Sequence, residues 1–414
     1  MTSLHIPASS ADLTVDWLNE ALEGEVTQGA TIVDLKREVI GEGAGFIGEL
    51  TRITPTYSSH DADAPRSFIA KLPIADEAIR SIALLFGWYE HEIRFYQEIA
   101  GQIELRTPKC YYSAMDVPAG RFALLLEDLA PARCGDQLAS CSLEEAKLAL
   151  SELAKLHAAW WNSPRLEEFD WMPALDDGAL QQVLVTLYQQ SWPYFVEQVG
   201  QQVPEAILDV GERFGANFST MMEGLAERPR TIMHTDFRLD NMFFGVEDGG
   251  SPFALIDWQL IQRGGGAFDV TYFLAGNFPP EVRRKHETEL LHTYHDGLLR
   301  HGVSDYPFEQ CVEDYRMAAL FLLIFLVTNR ENFDIEAYPE RGQALLNTML
   351  ERYTTAIVDL TLASSYRPRA RWYDESRYGT AYPVREDRGR REHRLLLAWR
   401  GPAARVRPRL DNPH

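Results

Sequence analysis

The chain is poor in cysteine, and the cysteines it has form no cluster. Cys110, Cys134, Cys141 and Cys311 are the only four in 414 residues, and their spacing matches no metal site. They fit a reduced, cytoplasmic protein. Long apolar runs are missing as well. The longest, Met317 to Val327, is too short to span a bilayer and predicts a buried helix. No charged-then-apolar leader opens the sequence. Positive charge is in deficit, with 40 Lys and Arg against 61 Asp and Glu for a net charge of −21. That balance argues against nucleic acid or an anionic membrane as a partner.

Glycine, by contrast, is concentrated in one telling place. Gly43-Ala-Gly45-Phe-Ile-Gly48 is a G-x-G-x-x-G string with strand-like runs on both sides, Thr31 to Ile40 and Glu49 to Thr54. A dinucleotide fold requires a helix after the glycines to hold the pyrophosphate, so the second strand removes a Rossmann oxidoreductase. Strand, glycine loop, strand is the kinase arrangement, in which a hairpin covers the phosphates. Phe68-Ile-Ala-Lys71-Leu is a short apolar strand holding one lysine, costly to bury unless paired or near an anion. In the helix expected from Leu84 to Ile99, Trp88, Tyr89, Phe95, Tyr96 and Ile99 share one face at three/four spacing. Glu92 falls on that face. A buried acid needs a counter-charge, and Lys71 is the partner we expect.

The decisive block is His234-Thr-Asp236-Phe-Arg-Leu-Asp-Asn241, followed closely by Ile256-Asp257-Trp258. Met242 to Phe244 and Phe253 to Ile256 are strand-like, and Glu247 to Pro252 is dense in turn residues. A hairpin folded about residue 249 places Asn241 opposite Asp257, an amide oxygen beside a carboxylate, with Asp236 just upstream. Such hard oxygen ligands suit Mg²⁺, which takes one or two protein oxygens together with phosphate oxygens and water. The pattern points to a metal-bound nucleotide.

The order of glycine loop, strand lysine, helix glutamate, His-x-Asp-x-x-x-x-Asn and Ile-Asp-Trp resembles the aminoglycoside phosphotransferase, choline kinase and ecdysteroid-kinase-like superfamily of small-molecule kinases. Glu92-Ile-Arg-Phe-Tyr96, Leu153 to Trp161 and Phe268 to Leu274 are similar to family segments, and the likeness runs from about residue 10 to 360. The resemblance implies an α+β, two-lobed protein-kinase-like fold with a β-rich N-lobe and a mainly helical C-lobe. It implies that Asp236 orients or deprotonates the attacking hydroxyl, that Asn241 and Asp257 bind Mg²⁺, and that Lys71, positioned by Glu92, holds the phosphates of ATP (or GTP). Gly43, Gly45 and Gly48 would cover those phosphates. Glu127 and Leu129 lie where the family places its hinge, whose contacts to the base are mostly backbone. Thr235 stands where many relatives have Gly.

The implied function is transfer of the γ-phosphate to a hydroxyl of a small molecule. A catalytically silent nucleotide-binding module is the alternative, and a protein kinase is a third. Against the last, only eleven residues separate Asp257 from Asp269, and none between Trp258 and Phe268 is Ser, Thr or Tyr; that is scant room for a phosphorylation-controlled loop. His157 reads as a core histidine, His234 as a loop organiser, and Asp269 first as an N-cap with a brace for the catalytic loop as its second role. Trp160, Trp161, Trp171 and Trp192 are candidates for core packing or for an aromatic box around a cation. Expected boundaries are 1–128 for the nucleotide-binding lobe, 129–362 for the helical lobe and 363–414 for a tail. From Tyr366 onward the tail holds 13 Arg, no Lys and 6 acids, the composition of a disordered extension.

Overall fold

The computed structural model describes residues 4–41, 47–59, 64–174, 177–247, 250–332 and 339–362. Gly43, Gly45 and the Arg-rich tail lie outside the described residues. Helix α1 (Val15–Val26) leads into strands β1 (Ile32–Ile40), β2 (Gly48–Tyr57) and β3 (Phe68–Pro73). Helices α2 (Glu77–Leu85) and α3 (Trp88–Arg94) come next, then β4 (Cys110–Asp116) and β5 (Arg121–Glu127). The five strands form one antiparallel sheet in the order β1-β2-β3-β5-β4.

Strand alternation sorts side chains between the two faces of this sheet. Phe68, Ala70 and Leu72 of β3 and Ala123 and Leu125 of β5 pack with Leu13 and with Trp17, Leu18 and Leu22 of α1. Ile69 and Lys71 take the opposite face and line the cleft. A one-residue slip would drive Lys71 beneath α1, so the apolar alternation itself decides which face carries the charge. The helix expected from 84 to 99 is interrupted. Asp76 caps α2 by accepting from the Ala78 and Ile79 N–H groups. Gly87 then adopts φ 71°, and α3 starts afresh before widening into a π-turn at Phe95–Ile99.

The remainder is mainly helical. Strand β6 (Arg133–Cys134) precedes α4 (Leu143–Ala159), α5 (Gly178–Val199), α6 (Glu205–Ala216) and α7 (Phe218–Ala226). Four short strands follow: β7 (Thr231–Met233), β8 (Met242–Phe244), β9 (Phe253–Leu255) and β10 (Gln262–Gly264). Helices α8 (Ala267–Asn277), α9 (Pro280–Arg300), α10 (Phe308–Ala318), α11 (Leu322–Asn332) and α12 (Glu340–Ile357) complete the lobe. Helix α8 is buried at every position, as its lack of a polar face requires. Among the described residues no helix is long and apolar enough to cross a membrane.

The short strands position the site. β7 pairs with β10, and β8 with β6 and β9. Residues 234–241 therefore bridge two strand pairs, and residues 256–261 bridge the same two from the other side. The first segment is tied to the buried α8 near both ends, by Asp269 at His234 and Thr235 and by Asn277 at Leu239.

Candidate active site

Lys71 and Glu92 meet as expected. Lys71 Nζ lies 2.7 Å from Glu92 Oε2 and 2.8 Å from Asp257 Oδ1. Lys71 is only 7% exposed and Glu92 1%, so neither charge is tolerable alone; an unpaired buried ion costs several kcal/mol. Burial by itself lowers the Lys71 pKa, yet Asp257 and Glu92 outweigh it and leave it raised. Burial also raises the Glu92 carboxyl, against the attraction of Lys71. Gly48 explains itself here: a Cβ at this position would sit 3.2 Å from Lys71 Cε and 3.3 Å from the Leu72 carbonyl. Helix α3 is tied to the turn after Asp257 by His91, whose Nδ1–H donates to the Gln259 carbonyl at 3.2 Å. Burial pushes the His91 pKa down to about 4, so the ring is neutral.

Asp236 is held by three donors. Its Oδ2 accepts from Arg238 Nε at 3.0 Å and Asn241 Nδ2 at 2.8 Å, and its Oδ1 from the Tyr272 hydroxyl at 2.9 Å. Burial alone would raise its pKa; Arg238, then His234, Tyr272 and Asn241 overcome this and hold it below the usual carboxylate range. The loop that carries it is braced from α8. Asp269 Oδ2 accepts from the His234 N–H at 2.7 Å and Oδ1 from the Thr235 N–H at 2.8 Å. Asp269 is thus not the N-cap that the sequence suggested: α8 begins at Ala267, its cap is Gly266, and the carboxylate points away to the loop. His157 is buried, with Nε2 3.3 Å from Asp269 Oδ2 and Nδ1 2.8 Å from the Tyr294 hydroxyl. His234 organises the loop, donating from Nε2 to the Ile256 carbonyl at 2.9 Å and accepting the Asp236 N–H at Nδ1 at 3.3 Å. Thr235 has φ 62°, the left-handed region that costs a β-branched residue most.

The hairpin register differs from the expected one by a single residue. Met242 pairs with Leu255, and the Ile256 N–H donates to the Asn241 carbonyl at 3.0 Å, so Asn241 faces Ile256 rather than Asp257. One step along a strand reverses a side chain. Asp257 is brought back toward the site because its φ is 67°, a turn that no pairing pattern reveals. Asn241 also donates to the Asp236 carbonyl at 2.9 Å. With its amide nitrogen so engaged, its oxygen is the pole left for another partner.

Lys71, Asp236, Asn241, Asp257, Gly48, Glu127 and Leu129 all line one cavity of about 610 Å³. At the hinge, the Glu127 carboxylate is taken up by Arg106 at 2.7 Å and its N–H by the Lys109 carbonyl at 2.8 Å. Its side chain is therefore structural. The tryptophans do not form a box. Trp160 packs edge-on to Phe169, Trp161 to Tyr306, Trp171 donates to Glu98, and Trp192 stacks on Tyr188.

The family described as ecdysteroid kinase-like matches residues 42–303, from the glycine loop through α9. The chain belongs to the ecdysteroid kinase-like family. By class this kinase-like protein is a small-molecule kinase, as the motif order implied. Solved structures share its architecture at low identity. A choline kinase from Cryptosporidium parvum Iowa II is 10% identical over 83% of this chain and 95% of its own, with a TM-score of 0.50. An ethanolamine kinase from Plasmodium vivax is 14% identical over 82% and 86%, with a TM-score of 0.49. The GDP complex of an aminoglycoside 2'-phosphotransferase is 15% identical over 80% and 97%, also at 0.49. No curated protein matches.

Proposed function

We propose that this kinase-like protein transfers the γ-phosphoryl group of Mg·ATP to a hydroxyl of an uncharged, largely apolar small molecule. One observation carries the reading: Lys71, Asp257, Asn241 and Asp236, from three separate segments, line a single cavity together with the hinge. Phosphoryl transfer has a loose transition state with charge on the equatorial oxygens, so catalysis is positioning and electrostatics. Lys71, held by Glu92, binds the phosphates. Asp236, ionised and fixed by three donors, aligns the acceptor hydroxyl and takes its proton late. The backbone at Glu127 and Leu129 receives the base, and the glycine loop, Gly43, Gly45 and Gly48, covers the phosphates.

The donor chemistry fits magnesium. Asn241 Oδ1 and the Asp257 carboxylate are hard oxygens. Among the described residues no three His, Cys, Asp or Glu converge as a complete metal site, so phosphate oxygens would complete the coordination. Bound there, Mg²⁺ neutralises phosphate charge. ATP is the default donor, and GTP competition tests it.

The acceptor's character is read from charge pairing. Six carboxylates line the cavity, Glu92, Glu127, Asp128, Asp236, Asp240 and Asp257, and each already has a cation. Glu92 and Asp257 hold Lys71, Glu127 holds Arg106, Asp128 holds Arg52, and Asp236 and Asp240 share Arg238. Each of the six thus touches a cation, although Lys71 and Arg238 are each shared by two carboxylates. Beyond Asp236 the wall is apolar, with Phe268, Phe321, Ile324, Phe325, Leu345 and Met349. The net charge of −21 belongs to the molecule as a whole and does not select amines in this cavity. The test is ADP release from ATP and Mg²⁺ against a panel of neutral alcohols, amino alcohols and amino sugars, with an enzyme-free reaction as the blank and Asp236→Asn as the slow reference. Neutral alcohols are expected to lead. Turnover confined to amines would refute the acceptor class, and tight ATP binding without turnover would favour the silent nucleotide-binding module.

A further inference from the structure

We propose that Tyr272 is a positioning residue for phosphoryl transfer, its phenol fixing the Oδ1 edge of Asp236 against which the acceptor hydroxyl is aligned. The inference rests on the kinase reading above. It adds a residue that motif order does not single out, since Tyr272 sits in the apolar run Val270-Thr-Tyr-Phe-Leu274 and reads there as core.

The two oxygens of Asp236 are held by different parts of the fold. Both Oδ2 donors, Arg238 and Asn241, belong to the catalytic loop itself. The Oδ1 donor, Tyr272 at 2.9 Å, comes from α8. A carboxylate oxygen accepts about two hydrogen bonds, so Oδ1 keeps one site for an incoming hydroxyl, and Asp236 and Tyr272 line the cavity together. Tyr272 has little freedom to drift. Its ring is buried and packs against Phe268 at 6.0 Å, Phe325 at 5.1 Å and Tyr353 at 5.8 Å. Burial, with Asp236 adding to it, holds the phenol pKa well above the usual tyrosine value, so it remains a neutral donor.

Asp269 lies three residues earlier on the same helix and therefore on the same face. One buried helix thus grips the catalytic loop twice. Asp269 sets the backbone at His234 and Thr235, and Tyr272 sets the carboxylate. Without the phenol, Asp236 keeps its Oδ2 partners but its other edge loses its anchor. Misplacement of a reacting group by about 1 Å costs ~10²-fold in rate.

The experiment compares wild type, Tyr272→Phe, Asp236→Asn and the double variant. ADP release from ATP and Mg²⁺ is measured with octan-1-ol and with water alone as probe acceptors. Tyr272→Phe is expected to lower kcat ~10- to 100-fold, leave KM for ATP within about twofold, and keep the wild-type thermal midpoint within a few degrees. In the Asp236→Asn background it should cause no further loss, because the phenol acts through that carboxylate. Tyr315→Phe, which removes a buried phenol donating to Glu287 at 3.2 Å, controls for loss of a buried hydroxyl and should keep wild-type kcat. Wild-type kcat in Tyr272→Phe, a parallel rise in KM for ATP, or the same fold-loss in both backgrounds would overturn the proposal and leave the kinase reading standing. Absence of ADP release from the wild type would overturn both.

Discussion

Replacing Asp269 by alanine tests whether the catalytic loop is held from behind. Asp269 is fully buried and is absent from the cavity wall, so it touches neither nucleotide nor acceptor. Its carboxylate accepts from two backbone N–H groups, at 2.7 and 2.8 Å. A hydrogen bond to a charged group contributes about 1.5–3 kcal/mol, and an orphaned buried donor costs a similar amount. Losing both should destabilise the protein by about 3–6 kcal/mol. Asp269→Asn retains one acceptor oxygen and should cost roughly half of that. The strained Thr235, at φ 62°, would then relax, so kcat should fall about 10²-fold while KM for ATP stays near wild type. Urea unfolding gives the stability difference, and amide hydrogen exchange at His234 and Thr235 gives the local effect. An alanine variant within about 1 kcal/mol of wild type, with unchanged protection at those two amides, would refute the bracing argument.

Two further outcomes follow from the ion cluster and its neighbour. Lys71→Met leaves Glu92 and Asp257 without their cation; it should cost about 3–5 kcal/mol and sharply weaken ATP binding. Adding Glu92→Gln should restore much of the stability but none of the ATP affinity, and calorimetric titration with unfolding curves separates the two. His91 predicts a pH dependence. Its folded pKa of about 4 lies below the unfolded value near 6.5, so the unfolded chain takes up the proton first. The stability this site supplies is full above about pH 6.5 and is lost as pH falls toward 4, with about 2 kcal/mol gone by pH 5. His91→Gln should flatten that part of the stability profile, and an identical acid slope in both proteins would contradict the assignment.

Much of this protein was legible in one dimension. The strand on each side of the glycine loop, the alternation that turns Lys71 toward the cleft, and Glu92 on an apolar helical stripe are local patterns. Each follows from the period of a single strand or helix, and together their order named the superfamily. What escaped was geometry set between segments. Asn241 faces Ile256, and only a left-handed residue at Asp257 returns that carboxylate to Lys71; a backbone dihedral of this kind leaves no mark in hydrophobic periodicity. Asp269 read first as a cap because its neighbours are helical, and as a loop brace only second. Its partners at His234 and Thr235 lie more than thirty residues away in sequence. Net charge reports that acids outnumber bases, but not that each cavity carboxylate touches a cation. Composition and periodicity determine which chemistry is carried and where the chain turns; which atoms meet depends on distances that only the folded chain creates.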